Sequence, residues 1–186
     1  MQHFYKNFND WFNYPDFYQK VVAEASDPSH FVEIGTYKGA SAAFMGVEII
    51  NSNKKITFDT YDIFDKDIAL NNQTFGMNDN AEEEARKNLL PVKDFVNIFK
   101  SNSIEASKKY KDESLDFVFI DGSHLYEDVL DDINHWYPKV KKGGILSGHD
   151  LGKHCPQVEL AVSLFCKNNK QSFIKESSMC WRIDKP

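Results

Sequence analysis

No run of about 18 or more apolar residues occurs in the chain, which excludes a membrane-spanning helix. No basic cluster is denser than Lys139, Lys141 and Lys142, and the formal net charge is −6. A nucleic-acid binder needs a basic stripe to meet the phosphates, so DNA and RNA fall away as substrates. Cysteine is scarce: Cys155, Cys166 and Cys180 form no Cys-x-x-Cys pair and leave an odd thiol under any pairing. That usage fits reduced, mostly buried thiols in a cytoplasmic protein better than a disulfide frame. The first residues, Met1 to Lys6, lack the charged-then-apolar layout of a secretion signal. Internal repeats, low-complexity segments and a Gly-x-Gly-x-x-Gly fingerprint are all missing, the last arguing against a dinucleotide.

What the 186 residues do contain is alternation. Short runs rich in Val, Ile and Phe predict strands at His30–Gly35, Ile56–Asp62, Phe95–Ser101, Leu115–Asp121 and Gly144–Asp150, with two shorter ones at Ser172–Lys175 and Met179–Ile183. The middle runs are apolar on both faces, as buried parallel strands must be. Helical patterns lie between them. Ala40–Ile50 is apolar almost all round and predicts a deeply packed helix. Tyr126–Tyr137 places Val129, Leu130, Ile133, Trp136 and Tyr137 on one face and Glu127, Asp128, Asp131 and Asp132 on the other, which reads as a solvated acidic face. Pro138 ends that helix, and Gly143-Gly144 turns the chain into the next strand. The expected architecture is one α/β domain over residues 1–186: a doubly wound, mostly parallel, seven-stranded sheet with an antiparallel hairpin at its edge.

Two segments fall outside the alternation. Residues 1–25 carry Phe4, Tyr5, Phe8, Trp11, Phe12, Tyr14, Phe17 and Tyr18, at spacings that suggest one or two helices packed across the sheet. Exposed rings among them would offer a homodimer surface. The polar stretch 71–80, with Phe75 and Met77 isolated in it, reads either as a lid over a pocket or as a plain surface loop.

Open parallel sheets bind ligands at the carboxyl ends of their strands, near the point where strand order reverses. The first strand ends in Glu33-Ile34-Gly35-Thr36-Tyr37-Lys38-Gly39-Ala40-Ser41. Gly35 and Gly39 allow a tight turn and close approach to a ligand, and the next helix offers free N–H groups. Glu33, just before the turn, suits a cationic ligand. Asp62, 27 residues beyond Gly35, ends the second strand where a ribose diol is held in such sheets. Asn102 and Ser103 end the third and would meet the base of a nucleoside, although Ser103 would also serve as a helix cap. The fourth and fifth strands end in Asp121-Gly122-Ser123-His124 and Gly148-His149-Asp150. Two acids and two histidines at neighbouring strand tips are costly to bury without a role.

The segments Val-Glu-Ile-Gly-Thr-Tyr-Lys-Gly-Ala-Ser, Phe-Ile-Asp-Gly-Ser-His-Leu-Tyr-Glu-Asp-Val and Gly-Gly-Ile-Leu-Ser-Gly-His-Asp resemble the class I S-adenosylmethionine (SAM)-dependent methyltransferases, with their Rossmann-like sheet. The nearest group is that of methyltransferase family 24, related to macrocin O-methyltransferase and the cephalosporin-hydroxylase-like proteins; catechol O-methyltransferase is more distant. The resemblance runs from about Trp11 to Trp181. It implies that Glu33, Gly35, Thr36, Tyr37, Gly39 and Ser41 form the SAM loop, that Asp62 holds the ribose, and that Asn102 and Ser103 lie near the adenine, Asn102 replacing a usual Asp. Asp121 matches a metal-binding acid that also borders the cofactor, and His124 falls where relatives carry a general base. His149 and Asp150 fall where metal-dependent members have two further oxygen ligands. The implied reaction is methyl transfer to a hydroxyl of a small molecule, a sugar or an aromatic, with Mg²⁺ or Mn²⁺ lowering the hydroxyl pKa and His124 taking the proton. Imidazole favours transition metals, so His149 departs from a Mg²⁺ ligand set. Trp11, Phe12, Tyr14 and Phe75 are the expected substrate wall.

Three rival readings remain open. A metal-independent O- or N-methyltransferase would use the same fold; no Asn-Pro-Pro-Tyr-type tetrapeptide supports amino-group methylation of nucleic acid. A metallohydrolase would use Asp121, His124, His149, Asp150 and His154, but has no use for Glu33, Gly35 and Asp62. A non-catalytic SAM- or nucleotide-binding module would share the binding residues.

Overall fold

The central strands are buried on both faces because helices cover the sheet from either side, and this is why their sequences lack a polar face. The computed structural model describes residues 1–8, 10–65 and 80–186. Its strands are β1 (Ser29–Ile34), β2 (Ile56–Asp62), β3 (Asn97–Lys100), β4 (Leu115–Ile120), β5 (Val140–Gly148), β6 (Ile174–Lys175) and β7 (Trp181–Asp184). Among the described residues the α-helices are α1 (Pro15–Glu24), α2 (Ala40–Ser52), α3 (Ala81–Asn88), α4 (Ser103–Ser107), α5 (Tyr126–Trp136) and α6 (Pro156–Asn169).

The strands form one seven-stranded sheet in the order β3-β2-β1-β4-β5-β7-β6. β1 to β5 are parallel, and β7 runs antiparallel to both β5 and β6. The expected hairpin exists, but its second strand inserts beside β5 and leaves two-residue β6 as the edge. β5 also starts earlier than the Gly143-Gly144 pair suggested, already pairing through Val140, with an irregularity opposite Leu115 and Phe117.

Side chains alternate across the sheet with period two. Phe31, Phe117 and Phe119 point into a core shared with Phe17, Tyr18 and Met45 of α1 and α2. Val32, Ile34, Val118 and Ile120 point to the other face, against Ile133 and Trp136 of α5 and Trp181 of β7. The strand order reverses between β1 and β4, so the crevice at their carboxyl ends is the place where a ligand fits between the two layers.

α1 ends at Glu24, and its terminal carbonyls would be left unsatisfied. Lys54, just before β2, supplies the cap: its Nζ donates to the carbonyls of Val22 at 2.9 Å, Ala23 at 2.7 Å and Ala25 at 2.8 Å. Lys54→Met should lower the unfolding free energy by about 1–2 kcal/mol. A shift of the urea midpoint at unchanged slope measures it, and an unshifted midpoint would show that water replaces the lysine at no cost.

The aromatic N-terminus is a short 3₁₀ turn at Tyr5–Asn7 followed by α1. Tyr14, Phe17 and Tyr18 are buried, Phe4, Tyr5, Phe8 and Phe12 pack half-buried against the same core, and Trp11 stays 61% exposed. The acidic run of α5 is not a plain solvated face. Asp131 and Glu127 are exposed, but Asp132 is only 7% exposed, buried like Ile133 and Trp136 of the same helix. No helix among the described residues is long and apolar enough to cross a membrane.

Candidate active site

At the tip of β1 the chain turns at Gly35 with φ +98°, a conformation L side chains rarely adopt. A Cβ there would lie 1.9 Å from the carbonyl oxygen of Asp121, so the loop can lie against the tip of β4 only as glycine. Its N–H donates to the Tyr61 carbonyl at 2.8 Å. The next two N–H groups, of Thr36 and Tyr37, donate to Oδ2 of Asp62 at 2.9 and 2.8 Å, and that of Phe64 donates to Oδ1 at 2.8 Å. Burial raises the Asp62 pKa, and these backbone donors offset part of the rise. Asp62 therefore ties β1 to β2 while lining the crevice. Gly39, also at positive φ, sits at the start of α2.

Glu33 is 0% exposed and does not line the crevice. It sits one layer behind, where Oε1 accepts from the Tyr18 hydroxyl at 2.8 Å and Oε2 from the Thr60 hydroxyl at 2.7 Å. Burial pushes its pKa up to about 7, against the lowering effect of hydrogen bonds from Ser41, Thr60 and Tyr18. Its direct contact is with the floor of the loop: Thr60 in turn bonds Thr36 at 2.6 Å. Tyr18 was hidden in the sequence among core aromatics.

The crevice has a volume of about 460 Å³, within the range of small-molecule sites. Gly35, Thr36, Tyr37, Ser41, Asp62, Asn102, Ser103, Asp121, His124, His149 and Asp150 all line it, as do Trp11, Phe12 and Tyr14. Phe75 and the 71–79 part of the polar stretch lie outside the described residues. Trp11 stacks flat on Tyr37, with ring centroids 5.0 Å apart and planes 7° from parallel. Asn102, not Ser103, caps the short helix α4: its Oδ1 accepts the N–H of Ile104 at 2.9 Å and of Glu105 at 3.4 Å. Ser103 Oγ instead accepts the indole N–H of Trp136 at 2.9 Å.

The wall of the crevice is strongly acidic. Among the described residues it carries Asp10, Asp62, Asp121, Asp128, Asp131, Asp132 and Asp150, and neither lysine nor arginine. A phosphate would face seven carboxylates there, with only His124 and His149 to offer opposite charge. A ligand bearing sulfonium and ammonium charges meets opposite ones.

The tips of β4 and β5 bring Asp121, His124, His149 and Asp150 together. His149, 8% exposed, directs Nδ1 between Asp121 Oδ1 at 3.6 Å and Asp150 Oδ1 at 3.3 Å, while Nε2 lies 3.1 Å from Asn13 Oδ1. Burial alone would lower its pKa, but its bonds to the two carboxylates outweigh that and carry it to about 10. Burial would likewise raise the Asp150 pKa; His124 and His149 outweigh it and hold the group well below the usual carboxylate range. His124 Nε2 is 2.9 Å from Asp150 Oδ2, and that bond raises the His124 pKa. The Tyr14 hydroxyl donates to Asp121 Oδ2 at 2.8 Å. Tyr14 and Asn13 thus fix the second layer of the cluster from the N-terminal arm, through contacts no local pattern announces.

Asp121, His149 and Asp150 each offer a donor atom, all within 4.8 Å of one another, so the set can close on a divalent cation. His154 is exposed and belongs to no such group among the described residues.

Residues 32–151 match the model of a protein family described as a methyltransferase domain. Uncharacterized protein R132 of Acanthamoeba polyphaga mimivirus is 32% identical over 151 residues, covering 74% of this chain and 59% of that protein, so the chain spans under two thirds of its relative. The solved structure of the O-methyltransferase NovP superposes with a TM-score of 0.75 at 21% identity, over 92% of this chain and 78% of that one. The S-adenosylhomocysteine-bound methyltransferase PaMTH1 of Podospora anserina gives 0.65 at 11% identity, over 92% and 77%. At such identities these two likenesses are likenesses of fold.

Proposed function

The chain belongs to the methyltransferase-domain family of class I SAM-dependent enzymes, and on that premise we propose that it transfers a methyl group from SAM to a hydroxyl of a small molecule. The observation that carries this reading is the acid-lined crevice without a described lysine or arginine, opening onto the Asp121–His124–His149–Asp150 cluster. SAM supplies the electrophilic methyl on a sulfonium. Gly35, Thr36, Tyr37, Gly39 and Ser41 form the loop against which it binds. Asp62 takes the ribose, Asn102 and Ser103 border the adenine, and Glu33 holds the floor of the loop from behind.

At the reacting end His124 accepts the proton of the substrate hydroxyl, and Asp150 fixes the imidazole and stabilises the imidazolium that forms. The wall formed by Trp11, Phe12 and Tyr14 presents ring faces that suit a sugar or a planar aromatic acceptor. Most of the rate gain comes from holding the attacking oxygen, the methyl carbon and the leaving sulfur in line, with the base beside the oxygen. A divalent cation held by Asp121, His149 and Asp150 would lower the pKa of the acceptor hydroxyl.

A metal-independent transfer is the second reading. What favours it is His149, whose two ring nitrogens both face acceptors, so that its own positive charge already sits between Asp121 and Asp150.

Calorimetric titration with SAM and with its demethylated product, repeated with EDTA and with Mg²⁺ or Mn²⁺, tests both readings. Formation of the demethylated product is then followed with a panel of sugar and phenolic acceptors. SAM binding is expected in every condition; its absence throughout sinks the proposal. Turnover that survives EDTA selects the metal-independent form, and turnover that needs added cation selects the other.

A further inference from the structure

Cys155 plays no part in the chemistry above, yet it lies beside it. The loop that leaves β5 passes through Asp150, in the left-handed region at φ +62°, and folds back so that the Cys155 N–H donates to the Gly152 carbonyl at 3.2 Å. Donor atoms of His124, Asp150 and Cys155 then fall within 4.8 Å of one another, all on half-buried side chains. Around a tetrahedral metal with bonds of about 2.0–2.3 Å, donors stand roughly 3.3–3.8 Å apart. A small inward movement of partly exposed side chains closes that difference.

The Asp150 carboxylate divides its oxygens between two neighbours. Oδ1 faces His149 and Oδ2 faces His124. It can therefore give one oxygen to each of two adjacent cations. The two donor sets differ in softness: Asp121, His149 and Asp150 offer oxygen, nitrogen and oxygen, whereas His124, Asp150 and Cys155 offer nitrogen, oxygen and sulfur. A thiolate donor selects zinc-like metals and gives nothing to Mg²⁺. Cys155 stands at the N-cap of the 14-residue helix α6; burial and the charges of Asp150 and Asp121 raise its pKa, so the metal itself must displace the thiol proton.

We infer that His124, Asp150 and Cys155 form a second cation site, selective for a thiophilic divalent metal of the Zn²⁺ class. Three protein donors leave a fourth position for water. Binding releases the thiol proton to the buffer. It also engages the His124 ring, so an occupied site withdraws the base and silences transfer; this consequence, unlike the site itself, rests on the role proposed for His124.

Co²⁺ added to the chelator-stripped full chain is expected to give a near-ultraviolet thiolate-to-metal band in the parent and none in C155S. Zn²⁺ should bleach the band and Mg²⁺ should leave it. In ¹⁵N-histidine spectra Zn²⁺ should move the His124 ring resonances in the parent, with its affinity at least about tenfold weaker in C155S. No band in the parent overturns the site, and so does an equal band in C155S, since Cys166 or Cys180 would then be its source. With an acceptor from the panel, Zn²⁺ should suppress parental turnover about a hundredfold and spare C155S. A band that C155S abolishes, with turnover untouched by Zn²⁺, keeps the site and overturns the withdrawal of the base. Neither spectrum depends on SAM, so failure of the methyltransferase reading would be seen separately.

Discussion

Replacing His124 with alanine should lower methyl transfer by about 10²–10⁴-fold while leaving SAM affinity within about twofold. The asymmetry follows from position. His124 stands on the loop after β4, its Nε2 2.9 Å from Asp150, and β2 and β1 separate that strand from β3, whose tip leads to Asn102 and Ser103. The part proposed for it is to take a proton as the oxygen attacks, so its loss should be felt in the transition state and not in cofactor binding. Asp150 gives the ring a fixed partner, and the raised His124 pKa shows that the pairing favours the imidazolium. Exogenous imidazole should restore part of the rate to the variant, because it returns the base without the tether. Turnover equal to the parent's, with SAM binding intact, would remove His124 as the base. Loss of SAM affinity together with turnover would instead mark it as part of the loop's framework.

The sites of greatest legibility were the strand tips. Gly35, Asp62, Asp121 and His149-Asp150 each end or follow an apolar run, and a parallel sheet gathers such ends at one edge whatever the details of packing. The structure accordingly places them around one crevice. What escaped depended on contacts distant in sequence. Glu33 looked available to a cation because nothing local revealed that Tyr18 and Thr60 close over it. Asn13 and Tyr14 reach His149 and Asp121 across more than a hundred residues. The insertion of β7 between β5 and β6 is likewise a pairing decision, invisible in the alternation of either strand. The most instructive case is α5. An amphipathic pattern assigns acids to solvent, but Asp132 sits at the border of the apolar face, where a rotation of a few degrees decides between water and protein.

That border position makes Asp132 a pH-dependent weak point of the fold. The carboxyl is 7% exposed, and burial pushes its pKa up to about 7 from an ordinary 3.8. A hydrogen bond from Ser103 and the charge of His135 act in the opposite direction; Asp128 and Asp131 raise it further. Below about pH 4 the group is protonated in both folded and unfolded chains and has no effect on stability. Between about pH 4 and 7 the unfolded chain releases the proton while the folded one retains it, so stability falls by about 1.4 kcal/mol per pH unit. Above pH 7 the loss levels off near 4 kcal/mol. Asp132→Asn removes the titration but keeps the shape. The stability difference between variant and parent should therefore grow in the variant's favour by about 4 kcal/mol from pH 4 to pH 8, whatever fixed cost the amide carries. Urea unfolding at both pH values measures it. Glu33, also carried to about 7, remains in both proteins and cancels from the difference. Parallel pH profiles would mean that water reaches Asp132 and keeps it ionised, and the acidic run of α5 would then be the solvated face its sequence suggested.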